Sequence, residues 1–188
     1  MIRPAGRIIA SMSVAAALAA TVLAQTTFDF MPDGGRTLLL DQFGPGSANA
    51  DLLAQIAGKE QSEADWRTLI ADKAPDLKAP EAETLAAYLA INMPLADPAA
   101  VGGADRAAIA GALPPDGKRL AMDHCQFCHS FFTGYLVQDR DADGWLSTFK
   151  APFHREIEMS EKERLTFARY SAVNMPMKYE DVPEELRF

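Results

Sequence analysis

An all-α chain of two tandem helical domains is expected here on three grounds. The chain repeats itself, its strongest local signals are helical, and no segment alternates with the period of a strand. Tyr88, Ala90, Asn92, Met93 and Pro94 recur as Tyr170, Ala172, Asn174, Met175 and Pro176, at a constant offset of 82 residues. The same offset pairs Gly35 with Gly117, Leu38 with Leu120 and Asp41 with Asp123, and Trp66 meets Trp145 after a three-residue slip. Self-similarity at a fixed period implies two copies of one structural unit.

In chain order, residues 1–24 come first. They carry Arg3 and Arg7, an apolar stretch from Ile8 to Leu23, and no acidic residue. Val22 and Ala24 satisfy the small-residue rule for cleavage before Gln25, so 1–24 is expected to be a signal peptide. The alternative, a retained anchor, is disfavoured by a stretch that is Ala-rich and short for a span. Residues 25–97 form the first domain. Its last helix is expected to start at Pro80, suited to a first helical turn, and carries Leu85, Tyr88 and Leu89. Residues 98–113 read as a linker, rich in Ala, Gly and Pro, with Gly102-Gly103 and, just beyond, Pro114-Pro115 as breakers. In the second domain, 114–188, a helix is expected from about Gly117, a loop from Tyr135 to Gly144, and a short helix at Trp145. The closing helix opens with the capping box Ser160-Glu161-Lys162-Glu163. Leu165, Ala168 and Ala172 then recur at helical spacing, flanked by Phe167 and Tyr170.

The net charge is −8, and loss of Arg3 and Arg7 with the signal makes the remainder more acidic still. That balance argues against nucleic acid and anionic membrane surfaces, and suits a carrier that docks on a basic patch.

Cys125-Gln126-Phe127-Cys128-His129 is the one pentapeptide that dictates a chemistry. C-x-x-C-H reads as covalent attachment of a c-type haem. Two cysteines one helical turn apart form thioethers to the vinyl groups, and the adjacent histidine reaches the iron. A thioredoxin-like C-x-x-C wants a βαβ context, and structural zinc needs four ligands where the chain has two cysteines. A disulfide between Cys125 and Cys128 leaves His129 unexplained. The expectation is one covalent haem c, bound by Cys125, Cys128 and His129. The helix from Gly117 is expected to run through the motif, so that both cysteines share a face. At the repeat offset the motif residues fall on Phe43, Gly46 and Ser47, and no histidine precedes His124, so the first half is haemless. Haem is attached outside the cytoplasmic membrane, which with the signal places the protein in the periplasm.

On these residues the chain resembles the class I c-type cytochromes, as two repeats over essentially all of it after the signal. The match is best from Pro115 to Pro176, through Pro-Asp-Gly-Lys-Arg-Leu, the Cys-Gln-Phe-Cys-His-Ser run, Gly144-Trp145 and the Ser160 helix. It is similar to the cytochrome domains that accompany periplasmic dehydrogenases. The resemblance implies two tandem cytochrome c-like domains, the N-terminal one degenerate. It implies single-electron transfer from a molybdenum or quinone-cofactor enzyme to another cytochrome or an oxidase, without nucleic acid and without a stable membrane span after signal cleavage. A carrier, or the haem subunit of an oxidoreductase complex, is thus favoured over an enzyme. A haem enzyme (peroxidase-like or sulfur-compound-oxidising) and a haem-based ligand sensor remain the alternatives.

The chain departs from that pattern at the distal ligand. Those domains place a methionine in the loop after the Trp, and here that position is Pro152. Four candidates remain: His154, Met159, Met175 and Met177. Met175-Pro176 has an equivalent, Met93-Pro94, in the half without haem, so it reads better as a helix end. Met159 matches Leu77 and reads as core. His154 lies in the expected loop and is taken as the second metal ligand, with Met175 as the alternative. Two lesser signals complete the reading. Asp139, Asp141 and Asp143 imitate a calcium loop, but Lys150 stands where a bidentate Glu is needed. Val182, Leu186 and Phe188 suggest an apolar hook that, with the haemless half, docks on a redox partner.

Overall fold

The computed structural model describes residues 27–103 and 105–188. Residues 1–24, expected to be a signal peptide, lie outside them. Among the described residues every regular element is helical. The chain divides into a unit ending at Met31 and a unit from Pro32 to Phe188. The described part of the first is a turn in which Met31 N–H donates to Phe28 O at 3.1 Å.

The second unit contains nine α-helices among its described residues: α1 (Gly35–Phe43), α2 (Leu53–Ala57), α3 (Glu63–Lys73), α4 (Ala79–Asn92), α5 (Arg106–Ala112), α6 (Gly117–His124), α7 (Ala142–Thr148), α8 (Pro152–Arg155) and α9 (Glu161–Asn174). A π-helical turn, Phe132–Leu136, lies between α6 and α7. Most starts are fixed by a side chain that accepts an otherwise unpaired backbone N–H. Ser62 accepts from Asp65 N–H, Asp105 from Ala108, Asp116 from Arg119 and Asp141 from Gly144. Ser160 forms the expected reciprocal box: its backbone N–H donates to Glu163 Oε2 at 2.7 Å, and Glu163 N–H donates to Ser160 Oγ at 3.3 Å.

The helices α4 and α9 stand at the repeat offset at both ends, and they pack on each other. Their bonds are reciprocal. Tyr88 Oη donates to Pro114 O at 2.7 Å, and Tyr170 Oη donates to Pro32 O at 2.6 Å. Asn92 Nδ2 donates to Tyr88 O at 3.0 Å and to Thr166 Oγ1 at 3.1 Å. Asn174 Nδ2 donates to Tyr170 O and to Thr84 Oγ1, both at 2.9 Å. A Cβ on Gly35 would fall 2.2 Å from Tyr88 Cβ, and one on Gly117 would fall 2.1 Å from Tyr170 Cβ. The Gly, Tyr and Asn of each copy therefore recur because they build one junction twice. Buried donors need partners, and each copy's partner lies on the other.

Three local expectations are altered. Segment 98–113, read as a linker, folds into a 3-10 turn (Pro98–Val101) and α5, and buries Val101, Ile109 and Leu113 in the same core as Leu39, Phe43, Trp66 and Leu89. Arg106 pins it by donating to Leu40 O at 2.8 Å and pairing with Asp41. The helix from Gly117 stops at His124 instead of running through the motif. Gln126 Nε2 donates to Met122 O at 2.6 Å, taking the carbonyl that a continued helix would give to a backbone N–H. On α9 the buried residues are Thr166, Phe167, Tyr170, Ser171 and, as expected, Ala168, while Leu165 is exposed, because the helix serves α4 on one side and an aromatic cluster on another.

Candidate cofactor site

A cavity of about 830 Å³ opens in the second half, lined by Cys125, Cys128, His129 and His154 among others. That lies within the range of about 300–1,000 Å³ usual for small-molecule and cofactor sites. Several elements bring the residues together, with α9 adding Phe167. The end of α6 supplies His124 and Cys125, and the bend after it Cys128 and His129. The π-helical turn gives Gly134 and Tyr135, α7 gives Trp145, and α8 gives Phe153 and His154. One wall is aromatic. Tyr135 lies 5.2 Å from Trp145 and 5.5 Å from Phe167 between ring centroids, and Phe149 meets Phe167 edge-on at 5.6 Å. Tyr135 Oη is satisfied by Ser171 Oγ at 2.9 Å, and burial pushes its phenol well above the ordinary value.

The two cysteines are free thiols in different settings, Cys125 half-buried and Cys128 exposed. Burial, with a smaller contribution from Cys128, pushes the Cys125 thiol up to about 12. A thiol so far above neutrality is a poor thiolate nucleophile, which weighs against redox exchange or catalysis through Cys125.

His129 Nδ1 lies 3.2 Å from Ser130 O, a contact that puts the proton on Nδ1 and leaves Nε2 as the free lone pair. The imidazole packs so closely on the π-helical turn that a Cβ on Gly134 would fall 2.3 Å from Nδ1. His154, on α8, has its ring centroid 6.0 Å from that of His129, with planes at 79°. Met159, Met175 and Met177 are absent from the cavity wall. Met159 and Met175 are buried elsewhere, Met175 at the C-cap of α9. Among the aromatics of the motif and the segment after it, Tyr135 and Trp145 line the cavity. Phe131 and Phe132 are buried in the turn beside it, and Phe127 is exposed.

Two polar groups on the wall carry further meaning. Trp145 Nε1 is buried and has no hydrogen-bond partner. Arg140 lies over the Trp145 ring at 5.3 Å and donates to the neutral oxygens of Thr148 and Gln138. Sequence reasoning missed Ser130, Gly134 and Arg140. Only Gly134 left a signal, as a lone glycine inside an aromatic helical run, which marks close approach. Among the described residues no group of three or more His, Cys, Asp or Glu side chains is placed to hold a metal ion by itself. Comparison with known protein families, with curated proteins and with solved structures finds no match for this chain.

Proposed function

We propose that this chain is a periplasmic c-type cytochrome that carries one covalent haem. In this reading it is built as two tandem cytochrome c-like domains, of which the first is degenerate, and passes single electrons from a periplasmic dehydrogenase of the molybdenum or quinone-cofactor type to a downstream acceptor. The observation that carries the proposal is the cavity that gathers Cys125, Cys128, His129 and His154. The reciprocal junction of α4 and α9 supports the duplicated architecture.

The residues present fit a haem. Both motif thiols reach the cavity wall, the wall is largely apolar and aromatic, and two imidazoles face the same space. The ring centroids of His129 and His154 lie 6.0 Å apart on the wall of that space. Bound there, haem supplies one-electron chemistry at its iron. Cys125 and Cys128 would hold the ring, His129 and His154 the metal, and Arg140 with the unpartnered Trp145 Nε1 would meet its carboxylates. Ser130 O holds the His129 proton at Nδ1, and the aromatic wall of Tyr135, Trp145, Phe149 and Phe167 excludes water. The acidic remainder favours a partner with a basic docking face. No helix among the described residues is long and apolar enough to cross a membrane.

The test is substitution at the distal position. His154→Ala should leave haem covalently attached while opening the iron to carbon monoxide, which the unaltered chain should not bind. A carbon monoxide spectrum identical in both would remove His154 from the ligand set. Free binding by the unaltered chain would favour a haem enzyme or sensor instead.

A further inference from the structure

The segment after α9 folds back over the turn that carries His129's closest neighbours. Met177 N–H donates to Leu136 O at 2.7 Å, at the end of the π-helical turn. Tyr179 meets Phe132 edge-on at 5.8 Å, at its beginning. Ser130 Oγ, just before the turn, donates to Phe188 O and also accepts from Thr133 N–H at 3.2 Å. The segment is itself held in shape. Arg187 lies over the Tyr179 ring at 4.5 Å and donates to Val182 O at 2.7 Å, and Val182 is buried. Of the three residues of the expected apolar hook, Val182 is buried within the chain, while Phe188 stays exposed.

The turn so held is the one that fixes His129. Ser130 gives its carbonyl to His129 Nδ1 and its hydroxyl to the tail, and Gly134 lies against the ring. The first half has the same arrangement without a histidine. Leu95 N–H donates to Ala57 O at 2.8 Å, and Leu95 and Ala57 are the counterparts of Met177 and Leu136. Resting on the haem reading above, we infer that residues 177–188 brace the proximal ligand. Ser130 is the positioning residue that joins the brace to His129. Outer groups that fix a ligating imidazole raise its basicity and tune the metal, so loosening the brace should favour reduced iron.

The experiment is a redox titration of the full haem-bearing chain with Ser130→Ala, Tyr179→Ala, both together, and Ser130→Thr. Each variant should keep its covalent haem. The two single alanine variants should each shift the oxidised-to-reduced ratio toward reduced by about tenfold at fixed potential, which is about 59 mV for one electron. The double variant should go no further than the larger single one, because both act through one contact chain. Ser130→Thr, which keeps a hydroxyl, should restore the original potential. Unchanged potentials in both singles, or a double variant equal to their sum, would overturn the brace. Should Ser130→Ala fail to accumulate, Tyr179→Ala decides alone, since its ring is 59% exposed and its loss leaves the core intact. An unaltered chain without covalent haem would instead overturn the underlying function.

Discussion

Leu53–Ala57 and Phe132–Leu136 stand at corresponding points of the two halves, at the offset that aligns Trp66 with Trp145, yet they do opposite things. In the first half the short helix turns Leu53 and Ile56 inward, where they join Phe43, Trp66 and Leu113 in a closed core. In the second half the matching turn places Gly134 against an imidazole and leaves Tyr135 as one wall of a cavity of about 830 Å³. Phe43, fully buried, stands where Cys125 stands in the other copy. The lesson is that frame and content are separable. The frame is kept by the Gly, Tyr and Asn of the junction, and the content is set by a handful of residues facing the middle.

Removing a core ring should separate the halves most. Trp66→Ala should cost about 3–5 kcal/mol in the chemical denaturation of the haem-free chain, because it empties a packed site. Trp145→Ala should cost clearly less there, since its ring already borders open space. Equal losses would mean that the second half is as closed as the first. Next come the junction amides. Asn92→Ala and Asn174→Ala should each cost about 1–3 kcal/mol, through polar groups of the opposite copy left unpaired, and the two values should agree. A smaller effect is expected from Tyr88→Phe and Tyr170→Phe, about 1 kcal/mol each, again matched by symmetry. A large inequality in either pair would break the equivalence of the copies.

A separate effect is one of pH. Because Cys125 is raised from 9.0 to about 12 in the folded chain, its contribution to stability is complete below about 9 and is lost as pH climbs toward 12. The haem-free chain should therefore lose more stability over that window than haem-free Cys125→Ala. Identical slopes would show the thiol to be as accessible folded as unfolded.

Much of this was legible in the sequence for physical reasons. The capping box at Ser160 is local chemistry, and the repeated Tyr, Asn and Gly are visible because each copy needs the same partners. The Cys125–His129 motif is contiguous, so its residues could be named without a fold. What escaped depends on contacts between distant segments. The burial of Val101, Ile109 and Leu113 follows from a core assembled with distant segments, and their own stretch, rich in Ala and Gly, gave no sign of it. The early end of α6 depends on one glutamine side chain competing with backbone. The exposure of Leu165 follows from α9 serving two neighbours, which a single periodic stripe does not encode.

The central claim is that one half holds the cofactor and the other has replaced it with side chains. A pyridine haemochrome assay on the purified full chain, set against its protein concentration, tests this most directly. The account predicts one haem per chain, retained after denaturation, and none in the Cys125→Ala, Cys128→Ala double variant. Two haems per chain, or a stain that survives loss of both cysteines, would contradict it.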